Sequence, residues 1–119
     1  MRRLAVLLPL LLASPLAAED KIGTLLLGHW DCELPGDPGG VTRHVQPALS
    51  FEVANASRYV AADGTVGTYL LMGKEVTMTS GALAGTRLRR MRSGFLRKLD
   101  ANGNPEELRC VLSPAAESR

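Results

Sequence analysis

The sequence is poor in the groups that active-site chemistry draws on. Its 119 residues include two histidines, two cysteines and five aromatic rings, namely one tryptophan, two tyrosines and two phenylalanines. Nucleophilic catalysis needs a nucleophile, a base and an orienting group, and neither His29 nor His44 stands in a G-x-S-x-G or cysteine-protease context. No glycine-rich phosphate loop leads into a helix. So few rings do not build the stacking platforms that hold single-stranded nucleic acid. A structural zinc site wants four ligands at close spacings, which two histidines and two distant cysteines do not supply. His29, Asp31 and Glu33 alternate along one stretch and could offer nitrogen and oxygen ligands to a metal, but that spacing is equally the solvated face of a strand. No catalytic residue, cofactor or metal is expected, and the chain reads as a non-enzyme.

Long apolar runs are scarce too. The run from Leu4 to Leu12, broken by Pro9, is about half of the roughly 20 residues that a membrane-spanning helix needs. It follows Met1-Arg2-Arg3 and leads into Ala13-Ser14-Pro15-Leu16-Ala17-Ala18. A charged start, a short apolar stretch and small residues at the end make a secretory signal peptide over residues 1–18, cut after Ala18. Residues 19–119 are then one domain, periplasmic or secreted. Charge of one sign is likewise missing. The chain has 14 Lys plus Arg against 12 Asp plus Glu, and without Arg2 and Arg3 the balance is 14 − 2 = 12 against 12. No global attraction to nucleic acid is left.

Cys32 and Cys110 are an even pair in an oxidising compartment, which favours a disulfide. In the chain-entropy model a bond closing so long a loop is worth about 4 to 5 kcal/mol, a large share of the stability of a domain this small.

What the chain does have is alternation. Leu26, Gly28, Trp30, Cys32 and Leu34 are interleaved with Leu27, His29, Asp31 and Glu33; Leu49, Phe51 and Val53 with Ser50 and Glu52. Val76 and Met78 alternate with Glu75, Thr77 and Thr79, and Leu108, Cys110 and Leu112 with Glu107 and Arg109. Period two with one apolar face predicts antiparallel strands. Trp30, Phe51, Val76, Met78 and Leu108 are the expected core, with Tyr59 and Tyr69 packing beside Trp30. Asp63-Gly64, Met72-Gly73-Lys74, Ser80-Gly81 and Asn102-Gly103-Asn104-Pro105 supply turn chemistry between the runs, and Pro35–Gly40 reads as a longer, mobile loop. The fold class is all-β: a small antiparallel up-and-down barrel or a compact sandwich of about eight short strands. In a closed meander the first and last strands are neighbours, so a Cys32–Cys110 bond would staple the seam.

Residues 86–100 admit two readings. Leu88, Met91, Phe95 and Leu99 recur at helical spacing, and a basic amphipathic helix there could lie on an anionic membrane. Ser93-Gly94 in the middle disfavours a helix and suits a hairpin link, so two strands are expected. Either way Arg87, Arg89, Arg90, Arg92, Arg97 and Lys98 form a basic patch.

Gly28-His29-Trp30 resembles the G-x-W that opens lipocalin and related calycin barrels and small periplasmic metalloprotease inhibitors of similar shape. Those inhibitors hold both cysteines near the start, whereas here the second is Cys110. From Gly67 to Gly85, Gly94 to Asp100 and Leu108 to Cys110 the chain resembles small uncharacterised exported proteins of proteobacteria. The expected function is that of a non-catalytic binding protein, taking a small apolar ligand in a barrel mouth or docking an acidic protein surface. Inhibition of an exported protease through the Glu19–Gly23 stretch and membrane-surface binding through 86–100 are the alternatives. Asn55-Ala56-Ser57 matches a glycosylation sequon, and the bacterial character of the chain argues against its use.

Overall fold

Period-two alternation becomes ten strands of a single antiparallel sheet. The structure, a computed structural model, describes residues 21–36, 39–40 and 42–113. The signal peptide read at 1–18 lies outside the described residues. In chain order the strands are β1 (Ile22–Gly23), β2 (Gly28–Pro35), β3 (Arg43–Val45), β4 (Phe51–Val53), β5 (Arg58–Ala61), β6 (Val66–Met72), β7 (Glu75–Met78), β8 (Arg87–Arg92), β9 (Phe95–Leu99) and β10 (Pro105–Leu112). Each of β4 to β9 pairs with the next, β2 pairs with β4, and β10 returns to β2. The sheet therefore closes as an eight-stranded up-and-down barrel rather than a sandwich. Closure removes the unpaired edges that an open sheet leaves. Residues 86–100 form the β8–β9 hairpin, so the helical reading of that stretch does not hold.

The two remaining strands cover backbone that the barrel neighbours leave bare. β5 pairs with β6 from Val66 to Thr68, and β1 takes over at Leu71 and Met72. β4 pairs with β2 from Gly28 to Trp30, and β3 takes over from Glu33 to Pro35. Between them the Cys32 N–H donates to Ser50 Oγ at 3.0 Å and its carbonyl accepts from the Gln46 N–H at 2.7 Å. A 3-10 turn at Pro47–Leu49, with Pro47 at its start, brings Ser50 back to that position. Of the Pro35–Gly40 loop, 37 and 38 lie outside the described residues. The Gly36 N–H bonds the Thr42 carbonyl and returns the chain as β3, an element the sequence does not announce.

Side chains fill the barrel. Trp30, Phe51, Val76, Met78 and Leu108 are buried with Tyr59, Tyr69, Leu71, Leu88, Leu96 and the disulfide. Trp30 stacks on Phe51, centroids 6.2 Å apart, and Phe51 meets Tyr59 edge-on at 6.1 Å. Phe51 thus stands between Trp30 and Tyr59. Gly28, at φ 128°, turns the lead-in chain so that the Leu26 carbonyl accepts from Trp30 Nε1. The two tyrosine hydroxyls each tie down one end. Tyr69 Oη accepts from the Leu25 N–H, while Tyr59 Oη accepts from the Leu83 N–H and donates to the Ser80 carbonyl. Leu25 and Leu83, one at each end, are buried in the core cluster.

Candidate functional site

Alternation puts Arg87 and Arg89 of β8 on the outer wall, with Leu88 between them facing the core. Strand register then lines up charged residues from five adjacent strands: Glu75 opposite Arg89, Arg89 opposite Arg97, Arg97 opposite Arg109, and Arg109 opposite Glu33. Three arginines stand side by side, at the roughly 5 Å spacing of directly paired residues, where like charges repel. Five basic residues (Arg43, Arg87, Arg89, Arg97, Arg109) share this wall with Glu33 and Glu75 and, one pair further along their strands, with Asp31 and Glu107, which leaves it at 5 − 4 = +1.

The hydrogen bonds separate the row into neutralised ends and an uncompensated middle. Glu75, although in register with Arg89, pairs with Arg87 at 3.0 Å. Glu33 pairs with Arg109 at 2.9 Å and also with Arg43. Arg97 donates through Nε and Nη2 to the Glu106 carbonyl, and Arg89 donates through Nη2 to the Gly103 carbonyl at 3.2 Å. Among the described residues Arg89 and Arg97 hold backbone carbonyls and no carboxylate. A guanidinium carries five N–H donors and keeps its charge at any ordinary pH, so both groups are oriented on one side by carbonyls of the β9–β10 turn and the start of β10 and retain donors on the other. That arrangement suits a carboxylate or another anionic group.

Glu33 is the buried anchor of the row, at 5 % exposure. Burial pushes its pKa up and is the largest single influence. The hydrogen bonds and charges of Arg43 and Arg109 together outweigh it and hold the carboxyl below the ordinary glutamate value. Glu33 is thereby taken away from His29 and Asp31, which pair with each other at 3.0 Å. No group of three or more His, Cys, Asp or Glu among the described residues is placed to hold a metal ion.

The six basic residues read as one patch divide into three sets. Arg87, Arg89 and Arg97 lie on the wall. Arg90, in register with the inward Leu96, reaches the mouth beside Leu25 and donates to the Gly73 carbonyl; Arg92 lies 4.5 Å over the Phe95 ring. Lys98 is paired with Glu106 at 3.3 Å. Arg109 and Glu33 belong to the row although the basic run does not include them. Pairing Cys32 with Cys110 sets Glu33 opposite Arg109, so the expected disulfide carries the signal that finds them.

Other surfaces offer less. Of the Glu19–Gly23 stretch, 19 and 20 lie outside the described residues, and Ile22 and Gly23 are held on β6 as β1. An outer hollow of about 360 Å³ is lined by His29, Asp31, Val45, Pro47, Glu52 and Val60. No protein-family model, no curated protein and no solved structure matches the chain.

Proposed function

We propose that this protein is an exported, non-catalytic barrel whose outer wall docks an acidic partner surface through Arg89 and Arg97. One observation carries the reading: two adjacent, half-buried guanidiniums are fixed by main-chain carbonyls and left without a carboxylate among the described residues. Placing like charges in direct register costs stability, and a bound anion offsets that cost. The ligand-in-the-mouth form of the binding reading has less support, because the described interior is packed with buried side chains, Leu25 and Leu83 among them. The buried Cys32–Cys110 disulfide and the signal-like residues 1–18 support a periplasmic or secreted location. Gly28-His29-Trp30 on the first barrel strand, with the closed meander, supports a calycin-like barrel.

The test is the affinity of the oxidised protein for a hexaglutamate peptide, measured by calorimetry over a range of salt. Arg89→Gln together with Arg97→Gln should weaken binding about tenfold or more, since hydrogen bonds to charged groups are worth about 1.5 to 3 kcal/mol. Salt should weaken the native complex and leave the double variant nearly unaffected. Equal affinity in native and variant proteins contradicts the reading.

A further inference from the structure

One end of the barrel differs in chemistry from the other. Its turns are 54–57, 73–74 and 93–94, together with the 24–27 lead-in to β2. None of these turn residues is a carboxylate, whereas the opposite turns carry Asp63 and Asp100. Lys21, Arg58, Lys74, Arg90 and Arg92 stand at or beside this end. Among them are exposed apolar side chains: Ile22 at 73 %, Leu27 at 64 %, Leu26 at 48 %, Met91 at 45 % and Met72 at 42 %.

Lys21, Ile22, Leu26, Met72, Lys74 and Arg90 are linked to one another across this end. The Gly73 N–H bonds the Lys21 carbonyl, and Ile22 is in register with Met72. The Arg90 N–H bonds the Lys74 carbonyl and its guanidinium bonds the Gly73 carbonyl. Leu26, Arg90, Ser93 and Gly94 then share the lining of one hollow of about 210 Å³. Burying isolated leucines and methionines against a protein would leave this ring of cations to find carboxylates. A bilayer surface with anionic headgroups accepts both at once, with apolar side chains at the acyl boundary and cations at the phosphates.

We propose that this end of the barrel seats on an anionic phospholipid surface, with Leu26, Leu27, Ile22 and Met72 entering the interface and Lys21, Lys74 and Arg90 meeting lipid phosphates. The seat is distinct from the arginine row, which faces sideways from a barrel standing on this end. It also differs from a membrane-bound helix at 86–100, since that stretch is a hairpin.

Co-sedimentation of the oxidised, exported protein with vesicles of phosphatidylglycerol and of phosphatidylcholine tests it. Partitioning onto phosphatidylglycerol should exceed that onto phosphatidylcholine by about tenfold or more, each cation at the surface contributing about fivefold. Leu26→Ser with Leu27→Ser should cut partitioning about tenfold or more, and Lys74→Gln about fivefold. All three positions are exposed, so these variants keep the fold, which a urea melt verifies. Arg89→Gln with Arg97→Gln should leave partitioning unchanged. Equal partitioning onto both vesicles overturns the proposal, as does binding lost with the arginine row but kept in the leucine variant.

Discussion

Cys32 and Cys110 stand directly opposite each other where β2 meets β10, with Cα atoms 3.9 Å apart although they are 78 positions apart in the sequence. The bond therefore closes the meander at the one seam that joins its first strand to its last. Reduction should lower the free energy of unfolding by about 4 to 5 kcal/mol. Urea melts with and without reductant, followed through the fluorescence of the buried Trp30, measure the difference. A midpoint unmoved by reduction would show that the seam holds without its covalent staple.

Gly67 is required by the ring of Tyr59, its register partner on β5. A Cβ at Gly67 would lie 2.6 Å from that ring and closer still to the Ser80 carbonyl. Gly67→Ala should cost about 1 to 3 kcal/mol through overpacking. Tyr59→Phe should cost about 1 kcal/mol by leaving the Leu83 N–H unpaired, and should raise amide exchange in residues 80–86. If Gly67→Ala melts with the native protein, the tyrosine is not the element that fixes this turn.

Glu33 gives a pH dependence with a definite sign. Its carboxyl is held below the usual glutamate pKa by Arg43 and Arg109 against the effect of burial. A depressed folded-state pKa contributes stability that is fully present above the unfolded value of about 4.3 and is lost as pH falls through the folded value. Glu33→Gln should therefore cost about 1 to 3 kcal/mol at neutral pH and flatten the acid limb of the stability profile. An acid limb as steep in Glu33→Gln as in the native protein would assign that limb to other carboxylates.

Most of the barrel is legible in the sequence because its inward positions are apolar at every second residue. Trp30 and Cys32, Phe51 and Val53, Val76 and Met78, and Leu108 and Cys110 each mark a strand and its buried face. β1 and β3 are not legible, since two and three residues are too short to show a period and both are largely exposed additions to an existing edge. Glu33 reads as a solvated position and becomes buried because β3 folds back beside it. The basic run between Arg87 and Lys98 reads as one patch, yet a strand sends neighbours to opposite faces. Arg89 goes to the wall and Arg90 to the mouth. Arg109 joins the row through long-range register, which no local pattern encodes.

Docking through the arginine row is the core of the proposed function, and a map of where an acidic ligand contacts the barrel tests it directly. Titration of isotope-labelled oxidised protein with hexaglutamate should shift the Arg89 and Arg97 side-chain resonances and the amides of Gly103, Asn104, Glu106 and Glu107, since the carbonyls of Gly103 and Glu106 hold those guanidiniums. Shifts confined to Lys21, Lys74, Arg90 and Arg92 at the barrel end, with the wall unmoved, would contradict it.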